Sequence, residues 1–459
     1  MKKRLFNILL MFLLVFAFVS CNGETGTGGK TPVPTPTLTP TTGNQKLESK
    51  KVSSYALKEE EACFNFFWET QVTDETLYSY GLIPDRYPSN GLASIASVGF
   101  GLAGIPIGVQ NDWITYEEGE ERVIKTLQSM AELKTVHGFF YHFYSMDSGR
   151  PSYGSEVSDI DTALFIAGAL MAGEYFGGEA KELAASIYEK IEWPWFVNKK
   201  NNQFYMGYDP LTQDFCKDDK GNYVHWDFYG EQLVMYFLAA GSPTYPIEKK
   251  VYDSFKRHLG FYGGQAFYHS WFGSIFTYQF SHAFVDFRNI VDGSGVNWFE
   301  NSVKATKAAR QYCIDNPEGF LAFHEDSWGL TACDTPNHPY YSGLFGNAPS
   351  GYTNDAHKND GTVALAGSIG SFPFLPEEVE SSIEYYYTLL DGRLVGKYGL
   401  YDSYNLENNR KWVASDVIGI DKGISLLMIE NYRSEIVWKY FMQSEYIKTA
   451  IDVLGFVEA

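Results

Sequence analysis

Apolar residues recur at helical spacing along most of the chain. The stretch that organises the reading is 226–246, WDFYGEQLVMYFLAAGSPTYP. Glu231, Val234, Met235 and Leu238 fall at i, i+3, i+4 and i+7, so a carboxylate tops an apolar stripe. Leu233, Phe237 and Ala240 add a second apolar line. The spacing predicts a buried helix beginning near Phe228, capped by Asp227 and stopped by Gly241-Ser242-Pro243. Comparable patterns predict helices over 58–70, 94–104, 115–133, 158–175, 180–192, 247–259, 298–314, 362–369, 376–390, 421–432 and 435–453. Thr115 followed by Glu118 reads as a capping box. Strand-like pieces at 139–144 and 203–208 are short, and no alternation of strands and helices suggests a parallel sheet. Helices of similar length, without heptads or a fixed repeat, predict an all-α fold: helical hairpins closed into a ring rather than an open solenoid. The glycine spacing at 99, 101 and 104 sits inside a small-residue helix with no preceding strand, and packing explains it better than a dinucleotide loop.

The start of the chain reads differently. Lys2, Lys3 and Arg4 precede an apolar run from Leu5 to Val19 and then Cys21. Residues 1–20 therefore read as a secretory signal, and Phe18-Val19-Ser20-Cys21 resembles a bacterial lipoprotein processing site with Cys21 as the lipidated residue. Residues 21–47 are rich in Gly, Thr and Pro and cannot bury a core, so they read as a tether. Residues 48–459 form the folded domain. The expected location is the cell envelope, as an outer-membrane lipoprotein facing the periplasm or the outside. The membrane would be a partner through the lipid anchor alone, and the expected state is a monomer.

Composition narrows the chemistry. With 45% hydrophobic residues a large core is within reach, and 17% aromatic residues exceed what a core requires. Aromatic faces stack on sugar rings, so an aromatic cleft suits a polysaccharide or oligosaccharide. A formal net charge of −20 argues against a nucleic-acid partner, whose phosphates demand Lys and Arg. The five Cys contain no CxxC pair and the His residues no paired ligand spacing, so neither a metal nor another cofactor is expected. The segment DFCKDDKG at 214–221 lacks the calcium-loop alternation and reads as a hairpin turn at Asp219-Lys220-Gly221-Asn222.

Acidic residues gather beside aromatics and glycines. SEVSDIDTAL at 155–164 carries Glu156, Asp159 and Asp161, the last also explicable as part of a helix cap with Ser158. YQFSHAFVDFRN at 278–289 carries His282, Asp286 and Arg288, of which the last two can simply pair. HEDSWGLTACD at 324–334 carries Trp328 and Asp334. YGLYDSYN at 398–405 carries Asp402, and Asp421 opens the helix in VIGIDKGISLLMIENY. Trp226 and Tyr229 would wall a cleft beside Glu231. A desolvated Glu231 would serve as a general acid near neutral pH, whereas the helix dipole would favour its ionised form. Two carboxyls between aromatic walls are what glycoside hydrolysis requires, and no serine elbow or phosphate loop competes.

The order SEVSDIDTAL, WDFYGEQLVMYFLAAGSPTYP, YQFSHAFVDFRN, WGLTACDTP, NDGTVALAGSIGSFPF and IGIDKGISLLMIENYR resembles the glycoamylase-like domain of glycoside hydrolase family 144, which includes enzymes acting on β-1,2-glucans. The resemblance runs from about Cys63 to the C-terminus. It implies an (α/α)6 toroid and an inverting, metal-free mechanism on a neutral β-glucan. It implies Glu231 as general acid and Asp161 as an acid lining the catalytic end. The base is left between Asp421 and Asp402. Glu156, Asp159, Trp226, Tyr229, His282, Asp286, Arg288, Trp328 and Asp334 are the candidates for contacting substrate. Asp159 departs from the family's usual Thr, and Phe284 stands where Trp is common. Two other classes remain in view: a surface glycan-binding lipoprotein without catalysis, and a polysaccharide lyase, which the acidic balance disfavours.

Overall fold

The run at 95–110 is helical throughout, and every side chain in it is buried. That is the signature of a helix surrounded by other helices rather than lying on a surface. The computed structural model describes residues 46–459 apart from 271–272, 337, 343–358 and 410. The expected signal sequence, Cys21, nearly all of the expected tether and the segment 343–358 lie outside the described residues. Fourteen α-helices occur among those described: α1 Ser54–Thr70, α2 Ile95–Gln110, α3 Tyr116–Glu132, α4 Asp159–Phe176, α5 Gly178–Tyr188, α6 Leu233–Ala240, α7 Lys249–Tyr252, α8 Phe280–Phe284, α9 Trp298–Asp315, α10 Leu365–Ile369, α11 Pro376–Thr388, α12 Gly419–Arg433, α13 Ile436–Met442 and α14 Glu445–Leu454.

Burial sorts them into two rings. In α2, α6, α8 and α10 all residues are buried, and in α4 and α12 nearly all are. The helices between them in sequence lie on the outside, and the longer ones are amphipathic. For example, α3 buries Gly119, Val123, Thr126, Leu127 and Met130 and turns its acidic residues outward. Inner helices pack in sequence order, α2 on α4, α4 on α6, α6 on α8, and α12 closes back onto α2. Gln279, just before α8, donates to Gly367 O of α10 at 2.7 Å. Six inner helices alternating with outer ones make the (α/α)6 toroid that the sequence resemblance implied.

Close helix contact explains the small residues. A Cβ on Gly168 would stand 1.9 Å from Gly99 O, and one on Gly99 would stand 2.4 Å from Leu164 O, so α2 and α4 cross backbone to backbone. A Cβ on Gly423 would meet the Phe100 ring where α12 closes on α2. Short antiparallel ladders lead into the inner helices. Leu92–Ser94 pairs with Phe143–Ser145 ahead of α2, Thr362–Ala364 pairs with Ser403–Asn405 ahead of α10, and Val417–Ile418 pairs with Arg86–Tyr87 ahead of α12. The inner helices thus present their N-termini to one end of the toroid, with the ladders around the rim.

Several predicted bounds move. The capping box of Thr115 and Glu118 forms, with both reciprocal bonds present. The predicted helix over 247–259 shrinks to α7, and Leu259–Tyr262 instead pairs with Gln265–Tyr268 as a hairpin, because Gly263-Gly264 supplies two positive-φ residues. The predicted helix over 435–453 breaks between α13 and α14 at Gln443-Ser444. At 218–221 a turn forms, with Gly221 at φ +83°. Gly168→Ala gains helix propensity of about 1 kcal/mol but collides with backbone, so we expect a net loss of about 1–3 kcal/mol in urea unfolding. A stabilised Gly168→Ala protein would show that the α2–α4 crossing is looser than described.

Candidate active site

Glu231 does not lie on the helix the sequence predicts. α6 begins at Leu233, and Asp227–Gln232 runs as a non-helical approach, in which Asp227 pairs with Lys256 at 2.6 Å instead of capping. Ser281 of α8 fixes this approach: its hydroxyl donates to Glu231 O and accepts from Val234 N at 2.8 Å. The Glu231 carboxyl is carried up to about 8, first by desolvation and then by the charges of Asp161 and Asp159, with His142 opposing. Glu231 lies ahead of the helix rather than in its first turn, and desolvation together with the crowd of like charges around it sets its proton affinity.

The first part of that crowd comes from the start of α4. Ser158 caps the helix, accepting from Asp161 N at 3.1 Å and donating to Asp161 Oδ2 at 2.5 Å. Asp161 Oδ1 is left facing His142 Nε2 at 3.7 Å. His142 places its other nitrogen 2.8 Å from Glu156 Oε1 and stacks on Phe143 at 3.7 Å. Burial alone would lower the imidazole, but Asp161, Glu156 and Asp85 together carry it up to about 9, so it is a cation at neutral pH. Asp159 is fully buried, accepts from Trp226 Nε1 at 3.1 Å and from Ile160 N at 2.9 Å, and is carried up to about 8 by desolvation.

The second part lies around the entrance to α12. Arg86 places one guanidinium nitrogen 3.1 Å from both Asp334 Oδ2 and Asp416 Oδ2, while its Nε stands 3.5 Å from Asp85. Asp402 Oδ2 accepts from Asp334 N at 2.7 Å and from Ser403 Oγ at 3.1 Å. The carboxyls of Asp402 and Asp421 hydrogen-bond each other, and burial pushes both above the ordinary carboxylate range. Asp402 Oδ1 and Asp421 Oδ2 are buried without a hydrogen-bond partner, and the raised proton affinity of both carboxyls favours a proton held at the pair. Asp421 is therefore not the helix cap the sequence allowed; Ile418 holds that position without a side-chain bond. Asp85 joins the two parts, since it interacts electrostatically with Asp161 and His142 on one side and with Asp421 on the other.

Glu231, Asp161, Asp159, Glu156, Trp226, Asp334, Asp402 and Asp421 thus share one end of the toroid. Five candidates do not join them. Tyr229 is 1% exposed, stacked on Trp298 at 4.6 Å, so it fills the core instead of walling a cleft. His282 is buried against Phe287 and Phe374 with Nε2 3.1 Å from Trp298 O, and desolvation lowers it to about 4, which makes it a neutral core histidine. Asp286 and Arg288 follow the C-terminus of α8 and form an ion cluster with Glu435, which Lys50 also approaches at 4.0 Å, while Arg288 covers the Trp438 ring at 4.3 Å. They tie the opposite end of the toroid together. Trp328 is fully buried, and its carbonyl accepts from Tyr386 Oη at 2.7 Å. Sequence reasoning passed over Asp85, Arg86, Asp416 and His142. The available signals were the Asp85-Arg86 pair in a Pro/Gly/Asn-rich connection and a histidine amid the aromatic strand FFYHFY.

No cluster of His, Cys, Asp and Glu suited to a metal ion occurs among the described residues, nor is any described helix long and apolar enough to cross a membrane. Residues 223–445, which include Glu231, Asp334, Asp402 and Asp421, match the glycoamylase family model, described as "Putative glucoamylase". An exo β-1,2-glucooligosaccharide sophorohydrolase (non-reducing end) of Parabacteroides distasonis is 26% identical over 454 residues. The match covers 89% of this chain, which spans 60% of that relative's length. The endo-β-1,2-glucanase of Chitinophaga pinensis, solved with sophorotriose and glucose, superposes with a TM-score of 0.78 at 26% identity, covering 89% of this chain and 99% of the other. A Bacteroides uniformis structure sharing the glucoamylase description has a TM-score of 0.77 at 25% identity, with 89% and 99% coverage.

The carboxyl of Glu231 gives a stability test. Its pKa is raised on folding, so its contribution is full below the ordinary value near 4.5 and is lost as pH rises through about 8. Glu231→Gln removes that loss. The variant's melting temperature should gain on the wild type between pH 5 and 9, by the equivalent of a few kcal/mol at most, since each tenfold change in proton affinity is worth roughly 1.4 kcal/mol. A pH-independent difference would contradict the desolvated environment.

Proposed function

Since this chain carries a glycoamylase-like domain resembling glycoside hydrolase family 144, we propose that it hydrolyses a neutral β-glucan or its oligosaccharides, with β-1,2-linked glucose as the substrate class. The observation that carries this reading is the pairing, at one end of the toroid, of a carboxyl that keeps its proton at neutral pH with a carboxyl pair that shares one. Glu231 is the general acid: its proton passes to the glycosidic oxygen as the bond to the anomeric carbon breaks. The Asp402–Asp421 pair is the general base: it takes a proton from the attacking water, whose oxygen bonds to the anomeric carbon from the opposite face. The product is inverted. Asp161, held by Ser158 and facing the His142 cation, lies beside Glu231 and raises its proton affinity.

Each group must be in a defined state, so kcat/KM should be bell-shaped. Activity falls below about 7 as the Asp402–Asp421 pair takes a second proton, and above about 8 as Glu231 loses its own. Glu231→Gln should lower kcat by about 10²–10⁴-fold while substrate still binds, with a good leaving group sparing most of the loss. NMR on fresh product should find the α-anomer first. Wild-type turnover by Glu231→Gln on its best natural glycan would overturn the assignment and leave a glycan-binding protein.

We further propose that Cys21 is lipidated after removal of residues 1–20, so that the tether holds the domain at the envelope membrane; the support is the sequence Phe18-Val19-Ser20-Cys21 followed by a Gly/Thr/Pro-rich segment. Cys21→Ala should block processing, so that the precursor accumulates with residues 1–20 still attached. Normal processing of that variant, with unchanged membrane association, would rule the anchor out.

A further inference from the structure

Beneath the Asp402–Asp421 pair lies an ion pair that is almost wholly shut off from solvent. Lys422 is 4% exposed and Glu59 is 0% exposed, with Lys422 Nζ 2.8 Å from Glu59 Oε1. A buried lysine survives only where its donors are met, and this one also donates to Leu400 O at 2.5 Å. Glu59 in turn accepts from Leu400 N at 2.9 Å and Tyr387 Oη at 3.0 Å, and Cys63 Sγ lies 3.4 Å from it. Leu400 stands two residues before Asp402, and Lys422 follows Asp421 in α12. One ion pair between α1 and α12 therefore holds the segment carrying Asp402 against the helical turn carrying Asp421.

Glu59, Leu400, Asp402, Asp421 and Lys422 are all buried. A small cavity of about 10 Å³ is lined by Glu59, Leu400, Asp402, Asp421, Lys422 and Ser425, among others. That is room for about one water molecule. No bulk solvent separates the ammonium from the carboxyl pair, so its field acts across a low-dielectric gap. The other charged or titratable neighbours are mostly negative or neutral. Asp334 and Asp85 face Asp421, Asp334 faces Asp402, and Cys333 lies within reach of both. Arg86 is engaged with Asp334, Asp416 and Asp85. Lys422 is the cation that favours ionised Asp421.

We propose that Lys422, pinned by Glu59, is a positioning residue that keeps the Asp402–Asp421 pair in its singly ionised, proton-sharing state. The inference rests on the reading of that pair as the general base. Through Glu59, the outer helix α1 thus reaches into the wall of the toroid to set the charge of the base. Lys422 needs no contact with substrate in this role; it acts through Asp421.

The test compares pH profiles of kcat on a β-1,2-glucan oligosaccharide for the full chain. Lys422→Met should move the acidic limb to higher pH by about one unit or more, so that turnover well below the optimum drops about tenfold while KM changes little. Because that variant leaves Glu59 unpaired and can fail to fold, Glu59→Gln/Lys422→Met, which removes both charges together, is measured beside it and should show the same displaced limb. An acidic limb that stays in place in the folded variants, with only stability or a uniform rate lost, would overturn the proposal while leaving the base assignment standing. Asp402→Asn and Asp421→Asn separate the two: wild-type turnover in both would remove the base assignment, and the role of Lys422 with it.

Discussion

Too many carboxylates converge on one end of this toroid for all of them to be ionised. Glu156, Asp159, Asp161 and Glu231 meet on one side, and Asp334, Asp402, Asp416 and Asp421 on the other, with Asp85 between them. Three cations are placed among them: His142 between Glu156 and Asp161, Arg86 among Asp85, Asp334 and Asp416, and Lys422 behind Asp421. The remaining excess is relieved by protons. Burial raises the proton affinity of these carboxyls first and their like-charged neighbours add to it, which is why Glu231 and Asp159 stay protonated at neutral pH and the Asp402–Asp421 pair is pushed above the ordinary carboxylate range.

The fold creates that crowding by the direction of its inner helices. All six start at the same end, and the ladders that precede several of them fix the residues just before the first turn. Helix N-termini favour negative charge, so acidic residues are tolerated there at first. Burial then works against the dipole and wins at Asp159 and Asp421, both carried well above their ordinary values. The ring can place these turns so close because its helices touch through glycine, as at Gly99 on Gly168 and Gly423 on Phe100. The geometry of the site and the composition of the inner helices are one constraint seen at two places.

The aromatic residues divide between two tasks. Trp226 is half-buried and donates to Asp159, so it shapes the site. Tyr229, Trp298 and Trp328 are core. The ion cluster of Asp286, Arg288 and Glu435 braces the far end of the ring, where the inner helices finish. Charged residues within a dense aromatic segment can therefore mark either end of a toroid with equal ease.

Much of this was legible in the sequence. The apolar patterns at 94–104, from near Phe228 to Ala240, and at 115–133 predicted helices, and the structure makes the first two inner and the third outer. Periodicity is a local property, and local properties decide which elements form. Glu231, Asp161, Asp402 and Asp421 could be picked out as carboxyls beside glycines and aromatics. What the sequence could not decide is which of those carboxyls meet. Asp402 and Asp421 are nineteen residues apart and share a proton only because Ser403–Asn405 pairs with Thr362–Ala364 and α12 enters beside them. His142 and Arg86 stand in or beside short strands with no helical period to mark them, and Tyr229 and His282 differ from site residues only in what packs over them. Element type is set by residues a turn apart, whereas desolvation and charge pairing depend on neighbours hundreds of residues away, and only the closed ring brings those together.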